Sequence, residues 1–212
     1  FVLVYKVLYP KTTIVSISID KNRVNYGERV HITGTVTDNE GKRYASGTVR
    51  LVDSVNGGPK ESVATASLVD GEFIYDWTPP AGNHSLQAYW SGVTGESTSA
   101  LSSPASLIVE PRTVMASISL SEYNVTIGQN VTISPRLSEE LSNGTFTIRY
   151  SFDNKTWMDL VTVQPQNGTV DYSWAPPTAG TIYIQATYSG SGNFGPAASG
   201  TVALIVKPSA AV

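Results

Sequence analysis

The chain has 212 residues, of which 41% are apolar, 15% charged and 9% aromatic, with 18 Gly, 12 Pro, two His and no Cys. At ~100 to 150 residues per domain this is one large or two small globular domains, and the composition excludes a collagen, a coiled coil or a disulfide scaffold. A net charge of -3 from 14 basic and 17 acidic residues gives no clustered Lys and Arg for nucleic acid or anionic lipid, and the lack of Cys removes thiolate and zinc-knuckle chemistry.

The chain opens with Phe1-Val2-Leu3-Val4-Tyr5-Lys6-Val7-Leu8-Tyr9, eight of nine residues apolar or aromatic, followed by Pro10. Its β-branched and aromatic content favours an extended strand of ~30 Å. It is too short for a membrane helix of ~20 residues, and Pro10 stops it. The missing initiator Met suggests a processed precursor with a signal segment. Pro10-Lys11-Thr12-Thr13 lacks the Gly-containing pair of a tight hairpin, so the strand needs a groove elsewhere. Three docks are open: the first half of a split first strand, the leftover of a signal peptide or anchor, or addition to a sheet of a neighbouring copy. The third is β-augmentation; being heterologous and unclosed, it propagates head to tail into a filament.

Short runs of alternating apolar and polar residues follow, at Ile14 to Ile19, Arg29 to Thr37, Thr48 to Val52, Phe73 to Trp77, Ser85 to Trp90 and Ser106 to Val109, punctuated every 8 to 12 residues by Gly, Asn, Asp or Pro. Period two predicts half-buried strands. The order of residues then repeats at a shift of about 100. Ile17-Ser18-Ile19 returns as Ile118-Ser119-Leu120, and Trp77-Thr78-Pro79-Pro80 as Trp174-Ala175-Pro176-Pro177. Leu86-Gln87-Ala88 returns as Ile184-Gln185-Ala186, and Leu107-Ile108-Val109-Glu110-Pro111 as Leu204-Ile205-Val206-Lys207-Pro208. The chain therefore reads as a tail and linker over 1–12, one domain over 13–111 and a second over 112–208. About seven strands per ~100 residues without helical periodicity predict an all-β fold of two tandem immunoglobulin-like sandwiches. Trp77 and Trp174, each before a diproline that cannot continue a ladder, are read as core plugs.

Little is available for catalysis. His31 and His84 fall at non-equivalent places and read as surface or edge residues. Glu139-Glu140, Asp38 and Glu40 read as solvated loop acids. No nucleophile elbow, phosphate loop, calcium loop or metal pair is present, so no enzyme and no cofactor are expected. Lys21, Lys42, Lys60 or Lys155 could supply an isopeptide amine, which the sequence does not locate. Tyr89, Trp90, Trp157 and Tyr188 read as core aromatics, with a sugar-stacking face as the alternative. Six of the eleven asparagines, Asn83, Asn124, Asn130, Asn143, Asn154 and Asn167, open an N-glycosylation sequon, where composition alone gives about two or three. N-linked glycans and export follow as expectations.

The Trp-x-Pro-Pro runs and the segment Ala186-Thr187-Tyr188-Ser189-Gly190-Ser191-Gly192-Asn193-Phe194 resemble bacterial and archaeal Ig-like repeats of cell-surface proteins, a resemblance that covers both domains. Such repeats occur in S-layer proteins, adhesins, pili and secreted enzymes. With its sequons, low charge and apolar tail, the chain as a whole resembles the subunits of archaeal thread filaments, which are built by donor-strand complementation. That resemblance implies an extracellular surface filament in which Phe1, Val2, Leu3, Val4, Tyr5, Val7, Leu8 and Tyr9 insert into an identical neighbouring subunit, with no nucleic-acid partner and no membrane span. The alternatives are an S-layer or adhesin ectodomain with spacer or glycan-binding domains, and an accessory pair from a secreted hydrolase. With only 17 acids, folding should depend weakly on pH.

Overall fold

The computed structural model describes residues 9–209, which divide into two compact units between Pro111 and Arg112. The described residues contain strands, turns and bends but no helix, as the period-two pattern dictates.

In domain 1 the strands are β1 (Thr13–Val15), β2 (Ser18–Ile19), β3 (Arg23–Asn25), β4 (Val30–Asp38), β5 (Ser46–Val55), β6 (Lys60–Val69), β7 (Glu72–Trp77), β8 (Gly82–Trp90), β9 (Ala100–Leu101) and β10 (Ala105–Glu110). One layer is β1 and β2 on β4, with β7 on the other side of β4; the second runs β6-β5-β8-β10-β3, with β9 on β8. The layers join through the β6–β7 hairpin, where Val69 pairs with Glu72. Val15, Ile32, Val36 and Phe73 from the first layer pack with Val49, Leu51, Leu86, Ala88 and Trp90 from the second in one core. Each buried Val, Ile, Leu or Phe side chain among them contributes ~1.5 to 3 kcal/mol before entropy costs.

Domain 2 repeats the plan. Its strands are β11 (Ala116–Leu120), β12 (Asn124–Thr126), β13 (Val131–Leu137), β14 (Phe146–Ser151), β15 (Met158–Val163), β16 (Tyr172–Trp174), β17 (Gly180–Tyr188), β18 (Ala197–Ala198) and β19 (Val202–Lys207). The layers are β11-β13-β16 and β12-β19-β17-β14-β15, with β18 on β17. The first strand of each domain is split between layers: β1 and β2 precede β3 in one, β11 precedes β12 in the other. Residues 13–25 make that split in domain 1. Both domains contain their own closing strand, β10 and β19, each between the entry strand and the long central strand of its layer.

Trp77 and Trp174 end β7 and β16 and pack, half-buried, against the cores. Trp90 and Tyr188 lie deeper, 2% exposed each. A glycine sits against each of these two rings. A Cβ on Gly47 (φ +149°) would lie 2.3 Å from Trp90 Cη2, and one on Gly144 (φ +75°) would lie 2.7 Å from Tyr188. The missing side chain is what lets the ring fill the end of the sandwich.

Candidate functional site

The repeated Leu/Ile-Gln-Ala motif has a physical role in both domains. Gln87 Nε2 donates to the Ser102 carbonyl at 2.7 Å and Gln185 Nε2 to that of Ser199 at 3.0 Å. Ser102 Oγ accepts from the Ala88 N–H at 2.9 Å, and Ser199 Oγ from that of Ala186 at 3.0 Å. The serines are 3% and 4% exposed, so each motif satisfies a buried backbone donor and ties the approach to the closing strand onto β8 or β17.

The entry to each domain is equally repeated. The Lys11 N–H donates to Glu96 O at 2.9 Å and Lys11 O accepts from Thr98 at 3.0 Å, while Arg112 makes the same two bonds with Asn193 at 2.8 Å and Gly195 at 2.9 Å. Each cation then meets a loop acid: Lys11 Nζ lies 2.8 Å from Asp38 and 2.6 Å from Glu40, and Arg112 lies 2.9 Å from Glu139. The Lys11 ammonium holds the Asp38 carboxyl below its usual range against the opposing effect of burial, helped by the Glu40 and Lys42 amides at 2.9 and 2.8 Å. Asp38 is 3% exposed, which corrects its reading as a solvated turn acid; Glu40 is exposed, as expected.

The histidines differ sharply. His31 is exposed on β4, with Nδ1 2.8 Å from Asp76. His84 is 3% exposed, which overturns its reading as a surface or edge residue. Its Nδ1 lies 2.6 Å from Asp53 Oδ2, its Nε2 lies 2.8 Å from the Pro80 carbonyl, and Trp77 meets its ring edge-on at 5.2 Å. Both ring nitrogens are engaged, so the imidazole has no free position for general-base work. A signal for this was present in the sequence: the repeat aligns His84 with Ile182, a fully buried residue.

Of the four aromatics weighed as a sugar face, Trp90 and Tyr188 are core. Tyr89 and Trp157 are half-buried and each is covered by an arginine, Arg50 at 4.8 Å and Arg149 at 5.2 Å. Trp90 and Tyr188 therefore offer no face to a sugar. Lys21, Lys42, Lys60 and Lys155 are all exposed, whereas an isopeptide amine needs burial. Asp153 closes a turn by accepting from the Thr156 and Lys155 amides at 2.7 and 2.8 Å and from Ser151 Oγ at 2.8 Å; the backbone bonds lead in holding its carboxyl well below the usual range. No group of three or more His, Asp or Glu that could hold a metal exists among the described residues, and no helix there is long and apolar enough to cross a membrane.

All six sequon asparagines are exposed. Asn83 stands at the start of β8, Asn124 in β12 and Asn130 just before β13, while Asn143, Asn154 and Asn167 occupy turns, the last two with positive φ of 58° and 49°. Of the tail, Phe1 to Leu8 lie outside the described residues; Tyr9 is 82% exposed.

No curated protein matches the sequence. Among solved structures, a tetra-tandem repeat from the extending region of a large adhesion protein is similar over 91% of this chain and 49% of its own, at 14% identity and TM-score 0.57. The adhesin InvE of Yersinia pseudotuberculosis is similar over 92% of this chain and 58% of its own, at 15% identity and TM-score 0.50. The chain thus spans about half the length of these structures, and the likeness is one of fold. The profile of the bacterial Ig-like domain, group 3, matches residues 17–110 and again 118–207, so the chain belongs to that family as a tandem pair.

Proposed function

We propose that the chain is a structural spacer of an extracellular, cell-surface adhesin-like protein, two self-closed Ig-like domains coated with N-linked glycans at the six exposed sequons. One observation carries this. In each domain the entry strand lies parallel to the exit strand, β3 beside β10 and β12 beside β19. Ile108 N–H donates to Asn22 O at 2.9 Å and Tyr26 N–H to Glu110 O at 2.8 Å. Ile205 and Ile127 make the matching bonds to Tyr123 O and Lys207 O at 2.9 and 3.0 Å. Tension between the two ends of a domain, once it passes β1 and β2 or β11, acts along these strands and loads their cross-strand bonds together, in shear, instead of peeling them singly. An ion pair between Arg23 and Glu110 adds to the domain 1 clamp. The adhesin repeats of similar fold support the surface assignment. Immunogold labelling of intact cells with antibodies against residues 13–208 should decorate the outer face, and peptide mass mapping should find glycan on sequon peptides. Label appearing only after permeabilisation refutes the proposal.

The apolar and aromatic composition of Phe1–Tyr9 favours a second reading, polymerisation into a pilus-like filament by insertion of this strand into an identical neighbour. Against it, both domains already hold a closing strand. Sedimentation decides: the spacer reading gives a monomer with or without residues 1–9, and the filament reading gives polymers that vanish when they are removed.

A further inference from the structure

Domain 1 carries a buried polar group for which domain 2 has no counterpart and for which the spacer role has no need. The register pairs place Asp53 (opposite Leu86) where domain 2 has Tyr150 (opposite Ile184), and His84 falls where domain 2 has Ile182. Where the second sandwich packs Tyr150 against Trp174 at 5.6 Å, the first packs an imidazole and a carboxylate beside Trp77. Both side chains are sealed, at 0% and 1% exposure.

We propose that His84 and Asp53 form a proton-dependent latch that holds the Trp77-Pro80 turn to β5 and β8 and makes domain 1, but not domain 2, sensitive to pH on the alkaline side. The chemistry follows from the contacts. The Pro80 carbonyl only accepts, so the nitrogen facing it at 2.8 Å must carry a proton. Asp53 Oδ1 accepts from the Ser85 N–H at 3.1 Å, and Oδ2 faces Nδ1 at 2.6 Å, a spacing that requires a second proton between them. The pair thus holds one proton more than a neutral imidazole beside a carboxylate. Burial opposes the charge on His84, but the bonds to Asp53 and Pro80 outweigh it and raise its pKa above the ordinary value. A raised folded-state pKa means that this stability is fully present below the unfolded-state value of ~6.5 and is lost as pH rises through the folded value. The charged groups of the neighbouring strands are exposed: Glu61, in register with Asp53, and Lys60 on β6, Arg50 on β5 over the Tyr89 ring, and on β7 Glu72, paired with Arg43, and Asp76, paired with His31 and Arg29.

The test uses the whole chain and Asp53→Asn. An asparagine keeps every bond without the extra proton: its amide N–H donates to neutral Nδ1, its carbonyl accepts from Ser85, and Nε2–H still donates to Pro80. Calorimetry from pH 6 to 10 should show one transition falling by several °C in the wild type, flat in Asp53→Asn, with the other transition flat in both. Imidazole NMR should place the titration of His84 above the ordinary value of ~6.5. If His84 titrates at or below ~6.5, or the falling transition keeps its slope in Asp53→Asn, the latch is refuted. Should Asp53→Asn not fold, the NMR titration of the wild-type chain still decides.

Discussion

Replacing Ser102 or Ser199 by alanine separates this account from a generic sandwich. In each case a buried backbone N–H, of Ala88 or Ala186, loses an acceptor at 2.9 or 3.0 Å. The serine hydroxyl also loses its own bond to Ser103 O at 2.9 Å or Gly200 O at 2.7 Å. An orphaned buried donor costs about 1 to 3 kcal/mol. For a domain of this size 1 kcal/mol shifts the midpoint by ~4 to 8 °C, so each variant should lower one transition by roughly 4 to 24 °C. Because the geometry is matched, the two losses should be alike, and because the lock lies wholly inside each domain, the double variant should show both shifts unchanged. Differential scanning calorimetry of the three variants measures this. A shift under 1 °C, or a Ser102→Ala variant that moves both transitions, refutes the reasoning.

Three further outcomes follow from single contacts. Gly47→Ala should destabilise domain 1 by about 1 to 3 kcal/mol in urea titration, since the new Cβ would sit 2.3 Å from Trp90. Tyr188→Phe, which removes the bond from Oη to the Asn143 carbonyl at 2.7 Å, should cost domain 2 about 1 kcal/mol, whereas Tyr44→Phe should be neutral or stabilising because Tyr44 Oη is buried without a partner. On the acid side, Asp38, Asp76 and Asp153 have depressed pKa values, so what they contribute is present above ~3.8 and is lost only as pH falls through their lower folded values. Circular dichroism should therefore show little loss of structure between pH 7 and pH 4.

The sandwich pair was legible in the sequence because half-buried strands write their faces as alternation and because the duplication writes the same faces twice. β6 was the least visible strand: within Lys60–Val69 only Ala66 and Leu68 are buried, so an edge strand of solvated residues carries almost no period-two signal. His84 and Asp38 were misplaced for a different reason. Residue type argues for exposure, yet both are buried because partners far along the chain, Asp53 and Lys11, satisfy them. The Leu-Gln-Ala motif was visible as a repeat, but its serine partners, Ser102 and Ser199, lie 15 and 14 residues downstream and only the folded register brings them under the glutamines. Sequons were readable outright, being local, and the fold adds that all six face solvent.

Pulling a single chain from its two ends tests the central claim, that each domain is a self-closed spacer clamped by parallel entry and exit strands. Force spectroscopy should record two separate rupture peaks, each releasing roughly 34 nm at ~3.5 Å per residue less the folded length. Gradual extension without peaks, or one rupture releasing both domains together, would contradict it.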